Sequence, residues 1–100
     1  MDLQLGNKHI LITGGSKGIG LASAHAFLAE GARVAIVSRD AANLQRAAAQ
    51  LCDAYPGAAS RIATYCADTS HAGQALAALE QAQRAGGPID VLVNSAGAAR

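Results

Sequence analysis

The sequence predicts an α/β fold: a doubly wound parallel sheet with its strands in the order 3-2-1-4. Three observations point there. Four short strand-like segments alternate with three longer stretches of helical periodicity along 100 residues. Three of the four segments, centred on Ile10-Leu11-Ile12, Val34-Ala35-Ile36-Val37 and Val91-Leu92-Val93, are continuously apolar, as strands buried on both faces are. The first segment runs through a glycine-rich turn straight into a helix. Right-handed crossovers convert a β-α-β-α-β-α-β order into a parallel sheet with helices on both faces, and the doubly wound arrangement sets the strand order.

Residues 1–7 form a short polar lead-in, and residues 8–13 read as the first strand. The first helix is expected over 19–30. Ile19, Ala22, Ala26 and Phe27 share one face at three- and four-residue spacing, widened by Leu21, Ala24 and Leu28. His25 is expected to point outward. Gly31 stands where a left-handed residue ends a helix. Residues 33–38 read as the second strand. Asp40 is a good N-cap for the helix that follows, whose buried stripe is Leu44, Ala47, Ala48 and Leu51. Asp53-Ala54-Tyr55-Pro56-Gly57 breaks that helix, Pro-Gly being a strong turn signal.

The third strand, 61–66, is less apolar than the others and so belongs nearer an edge. Thr69 or Ser70 is expected to cap the third helix, with Ala72, Ala75, Leu76, Leu79 and Ala82 as its inner face. Gly86-Gly87-Pro88 ends it, and the fourth strand is expected over 89–94. The alanine-rich bias lies within helices, where alanine is the best former.

Composition narrows the function classes. One hundred residues make one small domain at most. At 51% apolar and 3% aromatic, the core must be built from Ala, Leu, Ile and Val. A net charge of +1 makes no case for nucleic acid or an anionic membrane. No apolar run reaches the length of a membrane span. Residues 1–4 lack the basic and apolar regions of a signal peptide. Cys52 and Cys66 fit a reducing compartment, and a cytoplasmic location is expected. There is no Cys-x-x-Cys, and His9, His25 and His71 lie far apart, so these residues read as packing or surface, not as a metal site.

The chemistry is concentrated in Thr13-Gly14-Gly15-Ser16-Lys17-Gly18-Ile19-Gly20. Strand, glycine-rich turn and helix form the context of a dinucleotide-phosphate loop. Gly14 allows a tight exit from the strand. Gly18 puts no side chain between backbone and ligand, and Gly20 lets the helix lie close to the strand. The first helical N–H groups then face the phosphates, with the positive end of the helix dipole behind them. Ser16 offers a hydroxyl and Lys17 a cation.

The end of the second strand selects the cofactor. Where an NAD site carries an acid for the ribose 2′-hydroxyl, this chain has Ser38, followed by Arg39 and Asp40. A 2′-phosphate repels a carboxylate and attracts a guanidinium, so NADP(H) is expected over NAD(H). Asp40 reads as the helix cap already named.

The Thr-Gly-x-x-x-Gly-x-Gly spacing, with Asn94-Ser95-Ala96-Gly97 at the end of the fourth strand and Asp68 after the third, resembles the short-chain dehydrogenase/reductase family over residues 8–97. Ser95 replaces the second Asn of that family's Asn-Asn-Ala-Gly segment. The resemblance implies a Rossmann-type fold. It implies cofactor contacts from Gly14, Ser16, Lys17, Gly18, Ile19 and Gly20 in the loop, and from Ser38 and Arg39 at the 2′-phosphate. Asp68 and Thr69 would lie near adenine, and Asn94, Ala96 and Gly97 along the ribose and pyrophosphate. Asn94 can also tie neighbouring strands, and Asp68 can also cap the following helix.

In that family hydride passes between the nicotinamide and a carbonyl or alcohol carbon. A Tyr, a Lys four residues later and a Ser perform the chemistry. No such pair occurs here: Ala59 follows Tyr55 and Thr69 follows Tyr65 at that spacing, and Lys8 and Lys17 precede both tyrosines. The family's catalytic segment lies beyond the fourth strand. The chain therefore reads as the N-terminal, cofactor-binding part of one domain, with small-molecule substrate contacts elsewhere and the oligomeric habit of the family. The alternatives are a nucleotide-sensing module without turnover and an inactive fragment.

Overall fold

A computed structural model describes residues 6–95 of the chain. The elements are β1 (His9–Thr13), α1 (Gly18–Ala29), β2 (Arg33–Ser38), α2 (Ala41–Ala54), a 3₁₀ turn (Ala59–Arg61), β3 (Ile62–Cys66), α3 (Ala72–Gly86) and β4 (Val91–Asn94). All eight expected segments are present, with bounds within two residues of the sequence reading except for the added turn. The sheet order is β3-β2-β1-β4, and each pairing is parallel. This is the predicted doubly wound, Rossmann-type arrangement.

Alternation along the strands divides the core. Ile10, Ile12, Val34 and Ile36 pack on one face with Ala24, Leu28, Leu44 and Leu51 from α1 and α2. Leu11, Ala35 and Val37 pack on the other with Ala78 and Ala82 from α3. The central strands β1 and β2 are covered on both faces, which is why they read as unbroken apolar runs. At the edges, β3 alternates between partly buried and exposed positions. β4 pairs with β1, and its Leu92 is 61% exposed.

Two helix faces differ from the expected ones. In α1 the buried residues are Gly20, Ala24 and Leu28, while Ile19, Ala22 and Ala26 are exposed. The cause is Gly20. A Cβ there would stand 2.3 Å from the Gly14 carbonyl oxygen. The helix therefore presses on the strand at its bare position, and i+4 and i+8 follow it inward. In α3 the buried residues are Ala78 and Ala82, whereas Ala72 and Leu76 are exposed. Neither Thr69 nor Ser70 caps this helix: the N-cap is His71, without a side-chain bond. Asp68 instead accepts from the Ser70 N–H at 3.0 Å and the Ser70 hydroxyl at 2.6 Å, shaping the turn before the helix.

The α2 expectations hold. Asp40 accepts from the Asn43 N–H at 3.0 Å, and Leu44, Ala47 and Leu51 are buried. Gly31 follows α1 at φ 87°, in the left-handed region. His25 is half-buried, not fully outward. Its ring centroid lies 5.7 Å from that of Tyr55, whose hydroxyl donates to the His25 carbonyl at 2.9 Å and ties α1 to the end of α2. Arginines close the other helix ends. Arg61 donates to the Leu28 and Ala32 carbonyls, and Arg33 to those of Gly86 and Asn7.

Candidate cofactor site

Parallel register collects distant residues at one end of the sheet. Thr13 pairs with Val37 and with Asn94, and Ser38 pairs with Cys66. The carboxyl ends of all four strands therefore lie side by side. Between β1 and β4 the strand order reverses direction, the switch point at which open α/β sheets form a crevice.

The glycine loop fills that point. The Gly14 N–H donates to the Val37 carbonyl at 2.7 Å, with Gly14 at φ 74°. Gly18, at φ 61°, has nothing within 4 Å of where a Cβ would stand, so its backbone faces open space. Besides Gly14, the missing Gly20 Cβ would meet the Ser95 hydroxyl at 2.6 Å and the Gly15 Cα at 2.8 Å. α1 begins without a side-chain cap and without an acidic residue in its first turn. Its leading N–H groups are thus left for another acceptor. A backbone cradle with a bare opening, under an uncapped helix N-terminus, fits a diphosphate.

The rim is polar and linked. Ser16 is 8% exposed; its hydroxyl turns inward and donates to the Ser38 hydroxyl at 3.1 Å. The Asp40 N–H also donates to Ser38 Oγ, at 3.3 Å. Lys17, Gly18, Ile19 and Arg39 are exposed around them. Asp68 is held below the ordinary carboxylate pKa, first by the Ser70 hydroxyl, then by the Ser70 N–H, with His71 and Arg39 adding positive charge and slight burial opposing. It is therefore a fixed anion beside the Arg39 cation.

At the β4 end, the Thr13 hydroxyl donates to Asn94 Oδ1 at 2.9 Å. The Ser95 hydroxyl donates to the Thr13 carbonyl at 2.8 Å and the Gly14 carbonyl at 3.3 Å. Ser95, the departure from the family's second Asn, thus bonds the loop directly. A cavity of about 190 Å³ opens between this end and α3, lined by Thr13, Val37, Thr69 and Asn94 among others.

Of the expected site residues, Gly14, Ser16, Lys17, Gly18, Ile19, Gly20, Ser38, Arg39, Asp68, Thr69 and Asn94 all lie at this end of the sheet. Ala96 and Gly97 lie outside the described residues. Sequence reasoning missed Gly15, whose absent Cβ would stand 2.6 Å from Ile36 Cγ2, and the Thr13 hydroxyl. The Gly14-Gly15 doublet was the available signal.

Comparison with known proteins agrees with this geometry. The family profile described as short chain dehydrogenase matches residues 8–100. A ketoacyl reductase, HetN, of Nostoc sp. is 40% identical over 93% of this chain and 31% of its own length. The 2-(S)-hydroxypropyl-CoM dehydrogenase 3 of Xanthobacter autotrophicus is 41% identical over 99% of this chain and 37% of its own. The crystal structure of L-sorbose reductase from Gluconobacter frateurii, complexed with NADPH and L-sorbose, superposes with TM-score 0.88 at 35% identity, over 97% of this chain and 36% of that one. This chain thus spans about a third of the length of these relatives. With the profile covering nearly every residue, and the glycine loop and strand ends arranged as described, the chain belongs to the short-chain dehydrogenase family.

Proposed function

We propose that this chain is the cofactor-binding part of an NADP(H)-dependent oxidoreductase acting between a carbonyl and an alcohol. The observation that carries the cofactor choice is the β2 end. Ser38 and Arg39 stand there beside the loop, and the acid that would hold a 2′-hydroxyl is replaced by a hydroxyl and a guanidinium. The L-sorbose reductase complexed with NADPH supports the same choice.

In this reading Gly14, Gly18, Gly20 and Ile19 form the diphosphate cradle, with Ser16 behind it and Lys17 at its mouth. Ser38 and Arg39 take the 2′-phosphate. Asp68 and Thr69 border adenine, and Asn94, Ala96 and Gly97 follow the ribose. The bound nicotinamide supplies the hydride chemistry. A small-molecule substrate and a homo-oligomer complete the proposal, in line with the dehydrogenase and reductase relatives.

Arg39→Ala tests it. A charge-assisted pair to phosphate is lost, so NADP(H) affinity is expected to fall about tenfold or more while NAD(H) affinity holds. Titration calorimetry reads both. Unchanged NADP(H) affinity removes the assignment. Hydride turnover by the full chain separates an enzyme from a nucleotide sensor.

A further inference from the structure

The geometry points to Ser16 as a specificity-determining residue that acts through Ser38, by fixing the direction in which the Ser38 hydroxyl can bond. This rests on the NADP(H) reading above and adds a residue that works behind the contact surface.

A serine hydroxyl has one proton to give and two lone pairs to offer. At Ser38 Oγ both lone pairs face protein donors: the Asp40 N–H at 3.3 Å and the Ser16 hydroxyl at 3.1 Å. Ser16 is 8% exposed, so its hydroxyl is committed inward, not toward open solvent. Ser38 meets a ligand only as a donor. Arg39 beside it is also donor-only. The nearest carboxylate, Asp68, has Oδ1 engaged by the Ser70 N–H and hydroxyl and His71 within 3.5 Å of Oδ2.

A donor-only rim discriminates by bonding direction. A 2′-phosphate is all acceptor and satisfies both Ser38 and Arg39. A ribose 2′-hydroxyl carries a proton that needs an acceptor, which a carboxylate provides in NAD sites. Here that acceptor is withheld, and an unsatisfied donor at a site weakens binding. Removing the Ser16 hydroxyl returns one lone pair to Ser38, which can then accept from the 2′-hydroxyl.

The test measures dissociation constants for NADPH and NADH with the full chain, for wild type, Ser16→Ala, Ser16→Thr, Ser38→Ala and Ser16→Ala/Ser38→Ala. The NADPH-over-NADH preference is expected to fall about fivefold in Ser16→Ala, the weight of one hydrogen bond. Ser16→Thr keeps the hydroxyl and is expected to keep the preference. In the Ser38→Ala background, Ser16→Ala is expected to leave the preference unmoved, because its effect runs through that oxygen. Should Ser16→Ala not fold, Ser16→Cys, a weak donor of similar size, is expected to shift the preference the same way by less. Equal weakening of both cofactors in Ser16→Ala overturns the inference, as does a full effect persisting without Ser38. If Arg39→Ala still lowers NADPH affinity, the NADP(H) reading survives that failure. A wild type that prefers NADH removes both.

Discussion

Asp68 shows how a single side chain is set by its neighbours. Its folded pKa lies below the ordinary 3.8, chiefly because the Ser70 hydroxyl bonds its ionised form. A lowered carboxylate pKa contributes stability that is present above the unfolded value and lost as pH falls through the folded one. The Asp68 contribution is thus complete above about pH 4 and disappears only in more acidic solution. Ser70→Ala is expected to raise the Asp68 pKa toward its ordinary value, read from carboxyl carbon shifts across an acid titration. Gly20 sets the opposite kind of limit, one of space. Gly20→Ala drives a methyl to 2.3 Å from the Gly14 carbonyl oxygen, so α1 must shift. A loss of about 1–3 kcal/mol in urea unfolding is expected, together with weakened cofactor binding. At this scale much of the site was legible: Gly14, Gly18 and Gly20 declare themselves by spacing. The inward turn of the Ser16 hydroxyl did not, because its partner Ser38 lies 22 residues away.

At the scale of an element, the helices show where periodicity is informative. α2 alternates polar and apolar residues, and its buried stripe followed from sequence. α1, Gly-Ile-Gly-Leu-Ala-Ser-Ala-His-Ala-Phe-Leu-Ala, is apolar almost all round. Period alone cannot choose a face of such a helix, and the contact at Gly20 makes the choice. Leu28 is 2% exposed and Ile19 72% exposed. Leu28→Ala is therefore expected to cost about 2–5 kcal/mol by thermal or urea unfolding, and Ile19→Ala less than about 0.5 kcal/mol. The reverse ranking would restore the face centred on Ile19. In α3 the same ambiguity arises from alanine, which suits either side of a helix.

Across the whole molecule, the site exists only because four strands run in parallel and end together. Thr13, Ser38, Asp68 and Asn94 are spread over eighty residues, yet β1 pairs with both β2 and β4 and brings them to one edge. A ligand held by that edge bridges loops from separate elements, so it stabilises the fold as a unit. At one hundred times its dissociation constant, NADP(H) is expected to add about 2.7 kcal/mol to unfolding stability. In thermal unfolding NADPH should raise the midpoint more than NADH at equal concentration; equal shifts would argue against selection at the 2′ position.

What the sequence determined by itself was the element order, the central strands and the loop, since these depend on local apolar runs and on glycines at fixed spacing. The tertiary structure alone decided which faces of α1 and α3 turn inward and which way the rim hydroxyls point. Those outcomes depend on contacts between residues far apart in the chain, where one missing Cβ or one shared proton selects among arrangements that the local pattern leaves equal.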